Sequence, residues 1–156
     1  FKGLKMCFIG DGNNMANSLM VGALKTGMKF SIACPEGYTP DAQLTEWAKE
    51  YGDDFEVTTD VKKAAKDADV LYTDVWASMG QEEEKALREK AFRNYRINAE
   101  VMECAKKDAM VLHCLPAHRG EEITEDVLEA HADEVFDEAE NRLHAQKAVM
   151  CKLLRD

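Results

Sequence analysis

Short apolar runs, separated by segments with helical patterns, constrain the fold of this chain more than any other feature. Most of these runs are bounded by polar or glycine residues, as strands of a buried sheet are. The predicted strands are 5–10, 29–33, 55–58, 70–73 and 110–114, with a further short strand at 134–136. Because strands that alternate with helices form parallel sheets covered on both faces, the sequence predicts an α/β fold: a Rossmann-like, doubly wound parallel sheet.

Helical patterns with recognisable ends lie between these runs. Thr39, Asp60, Asn98 and Thr124 are suited to N-cap positions, and Gly27 is suited to the position just after a helix. The predicted helices are 15–26, 40–51, 61–66, 81–95, 99–107, 125–130 and 139–154.

The composition excludes several classes of protein. With 46% hydrophobic and 32% charged residues over 156 residues, the chain has the composition of one globular domain. Its net charge of −10 argues against nucleic acids and anionic membranes as partners. No apolar run approaches the roughly 20 residues of a membrane span. The five cysteines are scattered without metal-binding spacing, which predicts free thiols in a reducing cytoplasm and neither a metal nor a cofactor.

Three loops that follow predicted strands carry polar residues: 11–14, 74–80 and 113–119. In a doubly wound sheet, ligands bind beyond the carboxyl ends of the strands, which open on one edge. Residues that are far apart in the sequence are therefore expected to line one pocket.

The first of these loops, Gly-Asp-Gly-Asn-Asn at 10–14, contains only part of a dinucleotide-binding pattern. Met15 takes the place of the third glycine, and the asparagines crowd the space that a pyrophosphate needs. Asn13 and Asn14 are both good N-caps for the following helix. The amide of Asn14 could equally contact a ligand carboxylate, because a helix N-terminus favours anions.

The second loop begins with Asp74, at a strand end where an unpaired acid would be costly to bury. We therefore expect Asp74 to face a cation, from the protein or from a ligand. Ser78 and Met79 follow, and Gly80 could act as a hinge. Ser78 could instead cap the next helix, whose first turn is acidic at 82–84.

The third loop follows the last of the buried apolar strands. His113 and Cys114 lie at the end of this strand, and Pro116 is expected to hold Leu115 in an extended conformation. His113 and Cys114 are therefore either a core imidazole and a buried thiol, or a polar pair that faces a ligand.

Arg142 is the remaining candidate, early on the closing helix. It could pair with Glu138 four residues before it, which would be a surface contact of little energetic value. Alternatively, its guanidinium could contact a carbonyl or phosphate oxygen.

Four motifs, in this order, carry a resemblance to a known family. They are Gly-Asp-Gly-Asn-Asn-Met at 10–15, Asp-Val-Trp-Ala-Ser-Met-Gly-Gln-Glu at 74–82, His-Cys-Leu-Pro at 113–116 and Ala-Glu-Asn-Arg at 139–142. Over essentially the whole chain, the sequence resembles the second domain of the ornithine carbamoyltransferases. His-Cys-Leu-Pro is typical of carbamoyltransferases in general, whereas Ser-Met-Gly points to ornithine rather than to aspartate, putrescine or acetylated ornithine.

The resemblance implies a transfer of the carbamoyl group from carbamoyl phosphate to the δ-amine of L-ornithine, which gives citrulline and phosphate in arginine metabolism. It assigns the ornithine α-amino and α-carboxylate groups to Asn14, Asp74, Ser78 and Met79. It assigns the carbamoyl group and the reacting amine to His113, Cys114, Leu115 and Arg142. Among these, the residues implied to be catalytic are His113, Cys114 and Arg142.

The resemblance also implies a larger enzyme. The phosphate-binding Ser-x-Arg-Thr segment of the family does not occur in this sequence, which begins where the second domain should begin. We expect residues 1–156 to form the ornithine-binding domain, inactive without a preceding domain that binds carbamoyl phosphate. The complete enzyme would be a cytoplasmic homotrimer or a multiple of one. The alternatives are a carbamoyltransferase for another amine and a non-catalytic, Rossmann-like nucleotide-binding module.

Overall fold

A five-stranded parallel sheet forms the centre of the chain. The computed structural model describes residues 1–77 and 84–155. Within these ranges the strands are β1 (Lys5–Ile9), β2 (Lys29–Ala33), β3 (Phe55–Thr58), β4 (Val70–Thr73) and β5 (Met110–His113). Their order in the sheet is β3-β2-β1-β4-β5, and every neighbouring pair is parallel. The predicted α/β fold is therefore confirmed, and β2, β3 and β4 have the predicted bounds.

The helices pack on the two faces of this sheet. They are α1 (Asn14–Lys25), α2 (Ala42–Ala48), α3 (Val61–Ala65), α4 (Lys85–Phe92), α5 (Ala99–Met102), α6 (Glu125–Ala130) and α7 (Ala132–Leu153). Alternate residues of β1 enter different core clusters: Cys7 and Ile9 pack with α3, α5 and α6, whereas Phe8 packs with α1. No helix in the described ranges is both long and apolar enough to cross a membrane.

Several predicted elements differ from the structure in type or extent, including the closing helix, which begins at Ala132 and not at 139. The predicted strand at 134–136 lies inside α7, with Val135 buried and Phe136 64% exposed. The helix predicted at 40–51 begins only at Ala42, because the side chain of Asp41 caps it, and it gives way to a 3₁₀ turn at Lys49–Asp54. The helix predicted at 99–107 ends at Met102. The described part of the helix predicted at 81–95 covers only Lys85–Phe92.

The outer edge of β5 explains why the chain is helical at 134–136. β5 is the last strand of the sheet, so the outward-facing N–H groups of Val111 and His113 have no neighbouring strand. Glu134 accepts from the N–H of Val111 at 2.7 Å, and Glu138 accepts from the N–H of His113 at 3.0 Å. Residues four apart on a helix lie on one face, so α7 satisfies the strand edge with two carboxylates.

We expect Glu134→Ala to destabilise the protein by about 1–3 kcal/mol, because the N–H of the buried Val111 would lose its acceptor. Urea unfolding followed by circular dichroism measures this loss. Asp137→Ala is the matched control: Asp137 is exposed on the same helix, and its side chain has no hydrogen bond within the described ranges. The control should change stability by less than about 0.5 kcal/mol. Equal losses in the two variants would show that the edge contact contributes nothing.

Candidate functional site

The register of the sheet brings three strand ends to one level. Ile9 of β1 pairs with Thr73 of β4, and Thr73 pairs with His113 of β5. The loops that follow these strands therefore start side by side, as the sequence predicted. Their side chains meet at Asp74.

Asp74 is only 8% exposed, and its carboxylate accepts a hydrogen bond from each of the three loops. The side-chain amide of Asn13 donates to Oδ2 at 2.9 Å, from the loop after β1. The N–H of Val75 donates to Oδ1 at 2.8 Å, and the thiol of Cys114 donates to the same atom at 3.1 Å. Within the described residues, Asp74 has no ion pair with a lysine, arginine or histidine. The cation predicted to face Asp74 is thus not supplied by the described part of the chain.

The two asparagines of the first loop have separate positions. Asn13 is the N-cap of α1, and its Oδ1 accepts from the N–H groups of Met15 and Ala16 at 2.9 and 3.2 Å. Asn14 is the first residue of the helix and is exposed. Its side chain has no hydrogen bond to another described residue. The capping alternative therefore applies to Asn13, and the amide of Asn14 remains available to a ligand.

The packing around Gly12 explains part of the Gly-x-Gly pattern, so no bound nucleotide is needed to explain it. A Cβ atom at this position would lie 2.2 Å from the backbone nitrogen of Pro40 and 2.3 Å from the carbonyl carbon of Thr39. The N–H of Gly12 also donates to the carbonyl of Tyr38 at 2.8 Å. This glycine is thus required by the close approach of the chain at 38–40, not by a pyrophosphate.

Cys114 lies half-buried between Asp74 and the helix α7. The pKa of its thiol is raised, and burial is the largest cause. The hydrogen bond to Asp74 and the negative charge of that carboxylate raise the pKa further. The sulfur is therefore a protonated donor in this arrangement. A nucleophilic thiolate would need the opposite shift.

Leu115 is not extended, contrary to the prediction from the following proline. Its φ is +53°, in the left-handed region that non-glycine residues rarely adopt, and the Leu115–Pro116 peptide bond is cis. The physical reason lies in His113, whose Nδ1 accepts from the N–H of Leu115 at 2.9 Å and turns the chain back on itself.

His113 is completely buried, so in this structure its side chain does not reach the open space beyond the strand ends. Its Nε2 lies 3.0 Å from Oε1 of Glu122, which is also completely buried. The sequence analysis did not identify Glu122, because it lies in a polar segment next to another glutamate. The fold brings this segment inward: the N–H of Ile97 donates to the carbonyl of Glu122, and the adjacent Ile123 is completely buried in the core.

Arg142 lies in the middle of α7, one turn after Glu138, and is exposed. The alternative ion pair between them is not formed; Glu138 instead accepts from the hydroxyl of Tyr72 at 2.5 Å and from the N–H of His113. Between these two contacts, Glu134 to Val111 and Glu138 to His113, the helix rises by about 6 Å and the strand by about 6.6 Å. The two elements therefore run side by side in the same direction. Arg142 lies one turn beyond Glu138 along α7, in the direction in which β5 runs.

A buried arginine, which the sequence analysis missed, holds the second loop to the first. Arg88 of α4 donates to Oδ2 of Asp11 at 2.6 Å and to the carbonyl of Trp76 at 2.8 Å. Its guanidinium also lies 5.2 Å from the ring centroid of Tyr38, which is a cation–π distance. Ser78 and Met79, the predicted ligand contacts, and the predicted hinge at Gly80 lie outside the described residues.

One group of side chains in the described ranges could hold a metal ion. The potential ligand atoms of His118, Glu121 and Glu122 lie within 4.8 Å of one another. However, Oε1 of Glu122 already accepts from His113 and from the N–H of His118. We therefore assign no metal ion to this group.

Comparison with known proteins identifies the family. Residues 2–153 match the family model described as aspartate/ornithine carbamoyltransferase, Asp/Orn binding domain. An ornithine carbamoyltransferase of Methanosarcina mazei is 54% identical over 155 residues, which cover 99% of this chain and 51% of that protein. The chain spans about half the length of the curated relatives it matches.

Solved structures give the same result. The ornithine carbamoyltransferase from Pyrococcus furiosus superposes with a TM-score of 0.87 at 54% identity, covering 96% of this chain and 49% of that one. The anabolic enzyme from Campylobacter jejuni gives a TM-score of 0.89 at 43% identity, covering 96% and 51%. The resemblance carried by the four motifs is thereby confirmed, and this chain belongs to the aspartate/ornithine carbamoyltransferase family, in which it corresponds to the Asp/Orn binding domain.

Proposed function

We propose that this chain is the ornithine-binding domain of an ornithine carbamoyltransferase. The enzyme transfers the carbamoyl group of carbamoyl phosphate to the δ-amine of L-ornithine, and releases citrulline and phosphate. The observation that carries the proposal is Asp74, a buried carboxylate without a cationic partner in the described chain. It accepts from Asn13, whose neighbour in the sequence, Asn14, has an exposed side chain available to a ligand. The named relatives, which are ornithine carbamoyltransferases, support the choice of reaction.

The two charged groups of an α-amino acid fit this pair of residues. An ammonium group beside Asp74 would neutralise the buried carboxylate in a site from which water is largely removed. A carboxylate beside Asn14 would lie at the N-terminus of α1, where free N–H groups and the helix dipole favour anions. We assign the α-ammonium to Asp74 and the α-carboxylate to Asn14, with Ser78 and Met79 completing the contacts.

The δ-amine of ornithine would then extend toward the loop after β5. The backbone carbonyls of Cys114 and Leu115 would accept from the carbamoyl NH₂ group. Arg142 would stabilise negative charge that develops on the carbamoyl oxygen as the amine attacks. The reaction needs no covalent enzyme intermediate, and the protonated state of Cys114 agrees with a role in orientation, as a donor to Asp74.

Neither alternative function has a specific observation in its favour. The Gly-x-Gly pattern that suggested a nucleotide is explained by the packing of Gly12. A carbamoyltransferase for another amine is disfavoured by the Ser-Met-Gly sequence at 78–80 and by the named relatives. The homotrimer, or a multiple of it, and the cytoplasmic location remain predictions; sedimentation equilibrium of the complete protein tests the first.

The direct test is an assay for citrulline with the complete protein and carbamoyl phosphate. Ornithine should be carbamoylated, with kcat in the range of about 1–10³ s⁻¹ that is ordinary for enzymes. Putrescine, aspartate and N-acetylornithine, supplied at the same concentration, serve as competing amines. Preferential carbamoylation of one of these would contradict the assignment of ornithine.

In the complete protein, Asp74→Asn should raise the KM for ornithine far more than the KM for carbamoyl phosphate. Loss of one partner of a desolvated charge pair costs about 2–5 kcal/mol. Steady-state kinetics with each substrate varied in turn measures the difference. Asp53→Asn, a change of the same chemistry at an exposed position, should leave both constants unchanged. Equal increases in both KM values for Asp74→Asn would indicate a structural role alone.

Arg142→Gln should lower kcat by about 10²–10³-fold, because a donor to the developing oxyanion would be lost. The KM for ornithine should change little, since the proposed contacts of the amino acid are with other residues. Arg93→Gln, at an exposed position after α4, is the matched control and should retain the wild-type kcat. A large rise in the ornithine KM with kcat intact would place Arg142 at the amino acid instead.

A further inference from the structure

The buried pair of His113 and Glu122 has no place in the contacts proposed above. Both side chains are completely buried, with Nε2 of His113 3.0 Å from Oε1 of Glu122. The other ring nitrogen, Nδ1, accepts from the N–H of Leu115 at 2.9 Å. The imidazole is therefore held at both nitrogens, behind the loop that carries Cys114 and Leu115.

These two contacts determine which nitrogen carries the proton. The N–H of Leu115 can only donate, so Nδ1 must be unprotonated to accept from it. The proton of the neutral ring is then on Nε2, where it donates to the carboxylate of Glu122. A carboxylate accepts but does not donate, so it favours this tautomer over the other.

The contact with Leu115 also fixes the direction of a carbonyl group. The peptide unit between Cys114 and Leu115 is planar and trans, so its N–H and its C=O point in opposite directions. The N–H points inward to His113, and hence the carbonyl of Cys114 points away from the buried ring. This is a carbonyl that the proposed function assigns to the carbamoyl NH₂ group.

Glu122 also holds the far end of the same loop. Its Oε1 accepts from the N–H of His118 at 2.6 Å, in addition to the imidazole. The other oxygen, Oε2, is buried and has no hydrogen-bond partner within the described ranges. A buried carboxylate oxygen without a hydrogen-bond partner costs free energy and calls for an explanation. The explanation proposed here is that Glu122 holds the histidine and the loop.

We propose that His113 is a positioning residue, whose Nε2–H tautomer is set by Glu122 and whose Nδ1 orients the Cys114–Leu115 peptide toward the carbamoyl group. The proposal rests on the proposed function for the identity of the substrate. It revises the implied role of His113: the imidazole acts through the backbone and exchanges no proton with the substrate.

Two substitutions of His113 separate its two contacts. His113→Asn retains an acceptor near the Nδ1 position, since an asparagine side chain commonly bonds the N–H two residues later. His113→Gln retains a donor near the Nε2 position, toward Glu122, but lacks the acceptor for Leu115. The first variant therefore leaves the carboxylate of Glu122 with the N–H of His118 as its one described donor, and the second leaves the N–H of Leu115 unpaired.

In the complete protein, we expect the kcat of His113→Asn to stay within about tenfold of wild type. The kcat of His113→Gln should fall by about 10²-fold or more, because the carbonyl that orients the carbamoyl group would be misplaced. The KM for ornithine should change little in either variant. Thermal stability should follow the opposite order, with the asparagine variant the less stable. If kcat falls in the same order as stability, His113 is merely structural and the proposal is wrong.

A measurement on the wild-type protein covers the case in which the variants fail to fold. Histidine labelled with ¹⁵N reports its protonated nitrogen through the two ring-nitrogen chemical shifts. We expect His113 to be protonated on Nε2 around neutral pH; protonation on Nδ1 would overturn the proposal. Because this result needs no turnover, an Nε2–H tautomer without citrulline formation would mean that the proposed function fails while the tautomer assignment stands.

Discussion

One buried carboxylate, that of Asp74, connects the three loops that form the candidate site. The register of the sheet brings the ends of β1, β4 and β5 to one level, and Asn13 and Cys114 then bond their loops to this carboxylate. Removal of a carboxylate from water is costly, and within the described residues the hydrogen bonds to Asp74 come from neutral donors. The same group therefore holds the loops together and leaves a negative charge for a ligand to neutralise.

The helix α7 covers the open edge of β5. Two carboxylates on one face of the helix, those of Glu134 and Glu138, replace the strand that would otherwise pair with β5. This contact keeps helix and strand in step as far as His113, where the strand ends. Arg142, which we propose for the carbamoyl group, lies one helical turn beyond this contact and is exposed.

The sequence was sufficient for the features that depend on local pattern. The strands β2, β3 and β4 are short runs rich in aromatic and β-branched residues. The rule that parallel strands end on one edge correctly brought Asp74 and Cys114 together. Arg88 and Glu122 could not be predicted as buried residues, because each lies among charged neighbours and its partner is supplied only by the fold. Asp11, which pairs with Arg88, is 77 residues away. The strand predicted around Val135 was wrong for the same reason: the partner of this segment, the open edge of β5, is supplied only by the fold.

The distribution of charge around Asp74 favours a ligand with one cationic and one anionic end. Asp11 has its cation in Arg88, whereas Asp74 has none within the described chain. At the neighbouring N-terminus of α1, the helix dipole and Asn14 favour an anion. Asn13 lies between the two regions, and both ends of its side-chain amide bond within the protein. The oxygen accepts from the first N–H groups of α1, and the nitrogen donates to Asp74. Because Asn13 satisfies both of these internal contacts, Asn14 is the asparagine that we propose for the ligand, and the two adjacent residues can differ in role although they are identical in type.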